Sequence, residues 1–296
     1  MEKAWQYAEE SSRLFGNAKY GYVPGSISST LEYAYTEWCM AELAKALGKT
    51  SGEQHYRKLA KSYQHIYDAV HRSFRPKDEK GNFLPWPEKG RLTEGYGSVE
   101  SNPFQQGWFV PHDIEGLAQL MGGREKTIEE LDYMFANTPT DFLWNQFYNH
   151  ANEPVHHVPF LYNRLGQPWK TQYWTRFICQ KAYKNEVKGL VGNEDVGQMS
   201  AWYVLASIGM HPICPGDTRM ELSAPLFDEV TLRLAGGKVF TIRVKGQSPQ
   251  NTYIQSATLN GKPYTKCYID YQDVVQGGVL ELTLSDQPNK NWGVGE

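Results

Sequence analysis

Apolar residues recur at helical spacing through the first two-thirds of the chain and at every second position through much of the last third. The stretch "SSTLEYAYTEWCMAELAKALGKT" carries Leu31, Tyr35, Trp38, Cys39, Leu43 and Leu47 on one side, and Gly48 follows as a stop. In "SGEQHYRKLAKSYQHIYDAVHRSF", Tyr56, Leu59, Tyr63, Ile66, Val70 and Phe74 form an inward stripe behind a capping box of Ser51 and Gln54. Further helices are predicted near 103–121, 127–137 (Thr127 with Glu130 as a second box), 154–165, 169–184 and 197–208. Helices of this length joined by loops predict antiparallel pairs packed side by side.

The pattern changes near Pro212, where "PICPGD" clusters helix breakers. Beyond it the runs "EVTLRL", "VFTIRV", "YIQSATL" and "VLELTLS" alternate, separated by Gly236-Gly237, Asn260-Gly261 and Gly277-Gly278. Asn260-Gly261 predicts a hairpin between the residues on either side. The fold class is therefore mainly α: a helical portion over 1–212, then a C-terminal antiparallel β region over 213–296.

Composition narrows the function classes. A net charge of −3 without a long basic run excludes nucleic acid and anionic membrane surfaces as partners. Nine Trp and nineteen Tyr are more than a core alone requires, and flat aromatic faces suit stacking on sugar rings. Cys39, Cys179, Cys214 and Cys267 are far apart, form no CxxC and indicate neither a zinc site nor a disulfide framework. No apolar run reaches membrane-spanning length, and "MEKAWQYAEE" is acidic and amphipathic, unlike a signal peptide.

Four stretches gather carboxylates, amides and imidazoles among aromatics: "EGYGSVESNPFQQGWFVPHD", "WNQFYNHANEPVHHVPFLYN", "GQPWKTQYWTR" and "GNEDVGQMSAWYVLASIGMHPICPG". Each residue also has a structural reading, because acidic residues cap helices and buried histidines satisfy cores. Recurrence favours chemistry. In a helical barrel alternate helix starts point to one end, so such residues can converge on one pit. Two carboxyl groups across a sugar-sized pit are what glycoside hydrolysis needs, one protonated and one ionised. His156 and His157 are adjacent and no HExxH occurs, so a zinc protease is excluded.

On these residues the chain resembles glycoside hydrolase family 92, the calcium-dependent exo-acting α-mannosidases. "GNEDVGQMSAWYVLASIGMHPICPG" matches the family signature Gly-Asn-(Asp/Glu)-Asp-x-Gly-x-Met-Ser-Ala-Trp with its following Pro-x-x-Pro-Gly. "VESNPFQQGWFVPHD", "ANEPVHHVPFLYNRLGQPWKTQ", "SSTLEYAYTEWCMAELAKALG" and "YIQSATLNGKPY" are similar to further family stretches in the same order. The resemblance implies the C-terminal catalytic portion of a longer enzyme. Its helices would belong to an incomplete α/α-barrel, without the β-sandwich with which family members begin.

The same resemblance implies an inverting mechanism with Glu100 as general acid and Asp195 as the base that activates water. Such a pair is expected roughly 6.5–9.5 Å apart. Asn152 and Glu153, with Asp195, fall where calcium is held, and oxygen ligands suit that hard cation. Asn193, Glu194, His156, His157, Lys170 and Gln172 fall on the substrate wall, Asn193 being expected also to cap the following helix. Pro103 and Phe104 replace the family's Ala and Trp beside the acid. The implied partner is a mannose-containing oligosaccharide or N-glycan, through α-1,2 links, and the implied location is secreted, periplasmic or cell-surface. A glycan-binding module without turnover is the alternative. A barrel glycosidase acting on glucosides leaves the Asn-Glu-Pro-x-His-His stretch unexplained.

Overall fold

The computed structural model describes residues 2–12 and 17–295. Contacts part the chain into two compact units, one reaching to Thr138 with 145–149 added, the other comprising 139–144 and the chain from His150 onward. The change of period at Pro212 thus lies inside the second unit.

The first unit contains α1 (Glu2–Ser12), α2 (Asn17–Tyr20), α3 (Ile27–Ala46), α4 (Thr50–Leu59), the hairpin strands β1 (Tyr67–Asp68) and β2 (Ser73–Phe74), α5 (Pro103–Gln106), α6 (Ile114–Leu120) and α7 (Arg124–Ala136). Ser26 caps α3 by accepting from the Ser29 N–H at 3.0 Å. Ile27, Leu31, Ala34, Ala41 and Ala44 make its buried stripe. Trp5 and Tyr56 meet edge to face at 5.7 Å and pack with Met40, Ala41 and Ala44.

The helix expected over 51–74 ends far earlier. Lys49 stands at the N-cap of α4 and makes no side-chain capping bond, so the Ser51–Gln54 box does not form. After a 3₁₀ turn at Ser62–Ile66 the chain reverses at Asp68, whose Oδ1 accepts from the Val70 N–H at 2.9 Å. Arg75 and His71 bond the other oxygen at 2.7 and 2.8 Å. Burial pushes the Asp68 carboxyl up, but the bonds from Arg75, His71 and the backbone outweigh it and hold its pKa at about 2. Val70, expected inward, is 88 % exposed at the turn.

The run 103–121 is likewise divided. Asp113 starts α6 by accepting from the Gly116 N–H at 2.9 Å, and the Tyr63 hydroxyl donates to its other oxygen at 2.7 Å. The second predicted box is absent because α7 begins at Arg124, leaving Thr127 inside the helix and Glu130 paired with Arg72 and Arg91.

The second unit begins with 3₁₀ turns at Glu153–Val155 and Val158–Phe160, followed by α8 (Leu161–Arg164), α9 (Pro168–Lys181) and α10 (Gln198–Ile208). Then come β3 (Met210–His211), β4 (Arg219–Leu222), β5 (Glu229–Arg233), β6 (Val239–Lys245), β7 (Tyr253–Leu259), β8 (Lys262–Pro263), β9 (Tyr268–Asp270), α11 (Tyr271–Gln276) and β10 (Gly278–Ser285). One sheet has the order β5-β6-β10-β7-β8 and another β3-β4-β9. Phe240, Ile242, Ile254, Leu280 and Leu282 point into one core, as the alternation required. The Asn260-Gly261 hairpin forms, joining β7 to β8.

The purely antiparallel expectation fails at one pair, since β10 runs parallel to β6. A period of two fixes which face a residue takes, not the direction of its neighbour, and the intervening crossover permits parallel pairing. Asn163 ties α8 to the smaller sheet by donating to the carbonyls of Leu222 at 3.1 Å and Cys267 at 2.8 Å.

Glu37 breaks the apolar stripe of α3. It is fully buried, and neither carboxylate oxygen has a hydrogen-bond partner among the described residues. Burial pushes its pKa from the ordinary 4.5 up to about 7. The raised value makes its stability contribution complete below pH 4.5 and lost as pH rises through 7. The unaltered chain should therefore lose up to about 3 kcal/mol across that interval that Glu37→Gln does not lose. Urea unfolding on either side of the interval measures this, and identical pH slopes for the two proteins would refute it.

Candidate active site

Glu100 lies on a turn with no helical or strand period, held from both ends. The Gly97 carbonyl accepts from the first N–H groups of α3, Ile27 at 2.6 Å and Ser28 at 3.1 Å. Ser28 Oγ in return accepts from the Val99 N–H at 2.9 Å. Glu100 itself is exposed and has φ +49°, a left-handed backbone uncommon for a residue with a Cβ. Beyond it Asn102 caps α5, accepting from the Phe104 and Gln105 N–H groups at 3.0 Å each. Pro103 takes the first helical position, and Phe104 lies 4.0 Å beneath the Arg91 guanidinium. The pair that departs from the family pattern thus builds an aromatic wall clamped by a cation.

In the second unit, two candidate segments meet at their backbones. A Cβ on Gly192 would lie 2.3 Å from the Ala151 carbonyl oxygen and 2.4 Å from its Cα. Only glycine permits that approach. It sets the segment before Asn193, Glu194 and Asp195 against the segment leading into Asn152 and Glu153. A cleft of ≈ 320 Å³, with Thr140, Asp141, Lys181 and Lys184 on its wall, also takes in Leu190 and Val191 just ahead of this contact.

Asp195, Val196 and Gly197 have φ +36°, +60° and +90°, three successive left-handed residues immediately before α10. Val196 is β-branched and wholly exposed, so neither glycine's freedom nor burial accounts for its conformation. Asn193 does not cap α10, which begins at Gln198, beyond the reach of its short side chain. Glu194 takes that role: its Oε1 accepts from the Ser200 N–H at 3.3 Å and its carbonyl from the Gln198 N–H at 2.8 Å. Asp195 remains exposed just ahead of the N-terminus of α10.

Behind these segments lies a block of neutral imidazoles. His156 Nε2 faces the His150 carbonyl at 3.0 Å, so it carries the proton, and Nδ1 accepts from Gln198 Nε2 at 3.4 Å. The Trp202 indole donates to the His156 carbonyl at 2.8 Å. His150 bonds the Tyr183 hydroxyl at 2.8 Å, which donates to the Met199 carbonyl at 3.1 Å. Burial lowers the pKa of His150 well below its usual range, that of His156 to about 4 and that of His211 to about 3.

With both ring nitrogens engaged internally, His156 braces the start of α10 and offers none to a sugar. Gln172 is buried and its Oε1 is engaged within the protein, accepting from the Ile254 N–H at 2.9 Å. His157 is buried, and Lys170 Nζ stands 5.4 Å over the Tyr162 ring. Sequence reasoning placed His150 in a polar stretch without giving it a role, and it missed Gly192, Tyr183 and Gln198. Only Gly192 carried a signal, being a glycine at neither a helix end nor a hairpin.

Among the described residues no group of three or more His, Cys, Asp or Glu side chains is placed to hold a metal ion. The donor chemistry of Asn152, Glu153 and Asp195 is all oxygen, which fits a hard cation completed by carbonyls and water.

The profile of the glycosyl hydrolase family 92 catalytic domain matches residues 2–286. The inverting mannosidase BT2199 from Bacteroides thetaiotaomicron VPI-5482 is similar with a TM-score of 0.92 at 34% identity, over 99% of this chain and 44% of that one. The α-mannosidase BT3965 from Bacteroides thetaiotaomicron, in complex with mannoimidazole, gives a TM-score of 0.91 at 32% identity, over 99% and 42%. A curated relative, an uncharacterized secreted glycosidase of Arthroderma benhamiae, is 32% identical over 93% of this chain and 37% of its own length. The chain thus spans less than half the length of each relative named.

The contact at Gly192 yields a test. Gly192→Ala should lower stability by about 1–3 kcal/mol, because the added methyl meets backbone that cannot rotate away. Amide exchange should quicken in 151–153 and 190–195 together, and acceleration confined to one segment would show that they are not coupled.

Proposed function

The chain belongs to glycosyl hydrolase family 92, and from that premise we propose that it is the catalytic portion of an inverting, calcium-dependent exo-α-mannosidase. The substrate is terminal mannose, α-1,2-linked, on a mannose-rich glycan. The observation that carries this reading is that Glu100 and Asp195 are both exposed carboxylates on left-handed turns beside buried polar or helix-capping groups. Such strain persists where the surroundings over-determine it, and it concentrates at functional sites.

In this mechanism the Glu100 carboxyl gives its proton to the glycosidic oxygen as the bond to the anomeric carbon breaks. Asp195 takes a proton from the water that forms the new bond on the opposite ring face. Each turnover leaves Glu100 ionised and Asp195 protonated, and exchange with solvent restores both. Asn193 and Glu194 border the base, and His157 and Lys170 belong to the sugar-binding wall. Asn152, Glu153 and Asp195 would hold calcium. When bound, the ion supplies positive charge to sugar hydroxyls and favours a distorted ring. The mannosidase names of the similar solved structures support the substrate class. The name of the Arthroderma relative supports export to where glycans lie, secreted or periplasmic. No helix among the described residues is long and apolar enough to cross a membrane.

Kinetics on mannobiose test the assignment. Glu100→Gln and Asp195→Asn should each cut turnover by at least about 100-fold while circular dichroism stays unchanged. Chelation should lower activity, and calcium should restore it. Mannobiose binding without release of mannose by the unaltered chain would favour the glycan-binding alternative.

A further inference from the structure

Four of the six residues that follow Glu100 are polar and almost wholly buried: Ser101, Asn102, Gln105 and Gln106 are each at most 3% exposed. Burying so many polar side chains under one exposed turn is unfavourable unless each is bonded. Their bonds centre on Gln105. Its Oε1 accepts from the Asn102 N–H at 3.3 Å, two residues beyond Glu100. Its Nε2 donates to two carbonyls of a loop forty residues away, Asn145 at 2.7 Å and Phe147 at 2.8 Å. Asn102 Nδ2 donates to the Gln146 carbonyl between them at 3.0 Å, so three successive carbonyls receive this short segment. Ser101 Oγ donates to Gln106 Oε1 at 3.2 Å.

Packing alone does not call for a glutamine there. Phe104 and Trp108 already supply buried apolar surface to α5. What the amide adds is a fixed direction. Before Glu100 the chain is held by the bond from the Val99 N–H to Ser28, and after it by the bond from the Asn102 N–H to Gln105. Between these two points sits a backbone at φ +49° that would otherwise relax.

We propose that Gln105 is a positioning residue for Glu100, locking the following backbone against the 145–147 carbonyls so that the carboxyl keeps the direction proton donation requires. The inference rests on the reading of Glu100 as general acid. A proton donor matters for a sugar leaving group and hardly at all for a phenolate that departs unaided.

Turnover of mannobiose is therefore compared with that of 2,4-dinitrophenyl α-mannoside. Gln105→Met keeps the volume and removes all three bonds. It should lose about 100-fold in kcat on mannobiose and less than about threefold on the aryl mannoside, with KM little changed. Should it not fold, Gln105→Asn, one methylene short of the two carbonyls, is read in the same way. Equal losses on both substrates, or none on either, would overturn the inference and leave Gln105 a packing residue. Glu100→Gln is the control. If it shows the split between substrates while the Gln105 variants do not, only the positioning role falls. If it shows no split, or the unaltered chain cleaves neither substrate, the acid assignment itself fails and takes the role of Gln105 with it.

Discussion

A left-handed backbone at a residue bearing a Cβ costs roughly 1–2 kcal/mol, and Glu100 and Asp195 both adopt it. Neither turn can sustain that conformation alone. At Glu100 the restraint comes from the N-terminus of α3 on one side and the buried amides of α5 on the other. At Asp195 it comes from the Glu194 cap and from Gly192, seated on the Ala151 backbone. In both units, elements that elsewhere would simply end a helix hold a carboxylate at a fixed angle.

The imidazole block serves the same purpose at lower dielectric. His150, His156 and His211 are buried neutral, and the first two spend their ring nitrogens on a carbonyl, a hydroxyl and the Gln198 amide. Each bond is modest, about 1 kcal/mol net. Together with Trp202 and Tyr183 they fix Gln198 and Met199, the first turn of α10, on which the Asp195 turn abuts. Protonating these rings would bury charge beside aromatic faces, so the brace works because it is uncharged.

How much of this was legible in the chain follows from what kind of pattern wrote it. The helices α3, α9 and α10 and the strands β5, β6, β7 and β10 were readable in place from their periods, but the face was not always right. In α3, Tyr35, Trp38, Cys39, Leu43 and Leu47 are only half-buried, while Ile27, Leu31, Ala34, Ala41 and Ala44 form the buried stripe. Strand β5 turns only half-buried residues inward. The segment 51–74 kept its period after the helix had ended, because a 3₁₀ turn and a hairpin also place Tyr63, Ile66 and Phe74 inward. Asp68 decides that reversal through bonds to Val70, His71 and Arg75, and no periodicity reports such bonds. The parallel partnership of β6 and β10 was hidden for the same reason. The candidate site was legible in kind through its motifs. Which residues brace and which face outward was not. His156 and Gln172 look alike in sequence to side chains that touch a ligand, and only hydrogen-bond geometry shows them turned inward.

The central claim is that one carboxyl protonates the leaving oxygen while another draws water onto the opposite face of the ring. The stereochemistry of the first-formed product tests it most directly, by proton NMR of the anomeric signals before mutarotation. The account predicts that β-mannose appears first and converts slowly to the equilibrium mixture. Release of α-mannose as the initial product would contradict it.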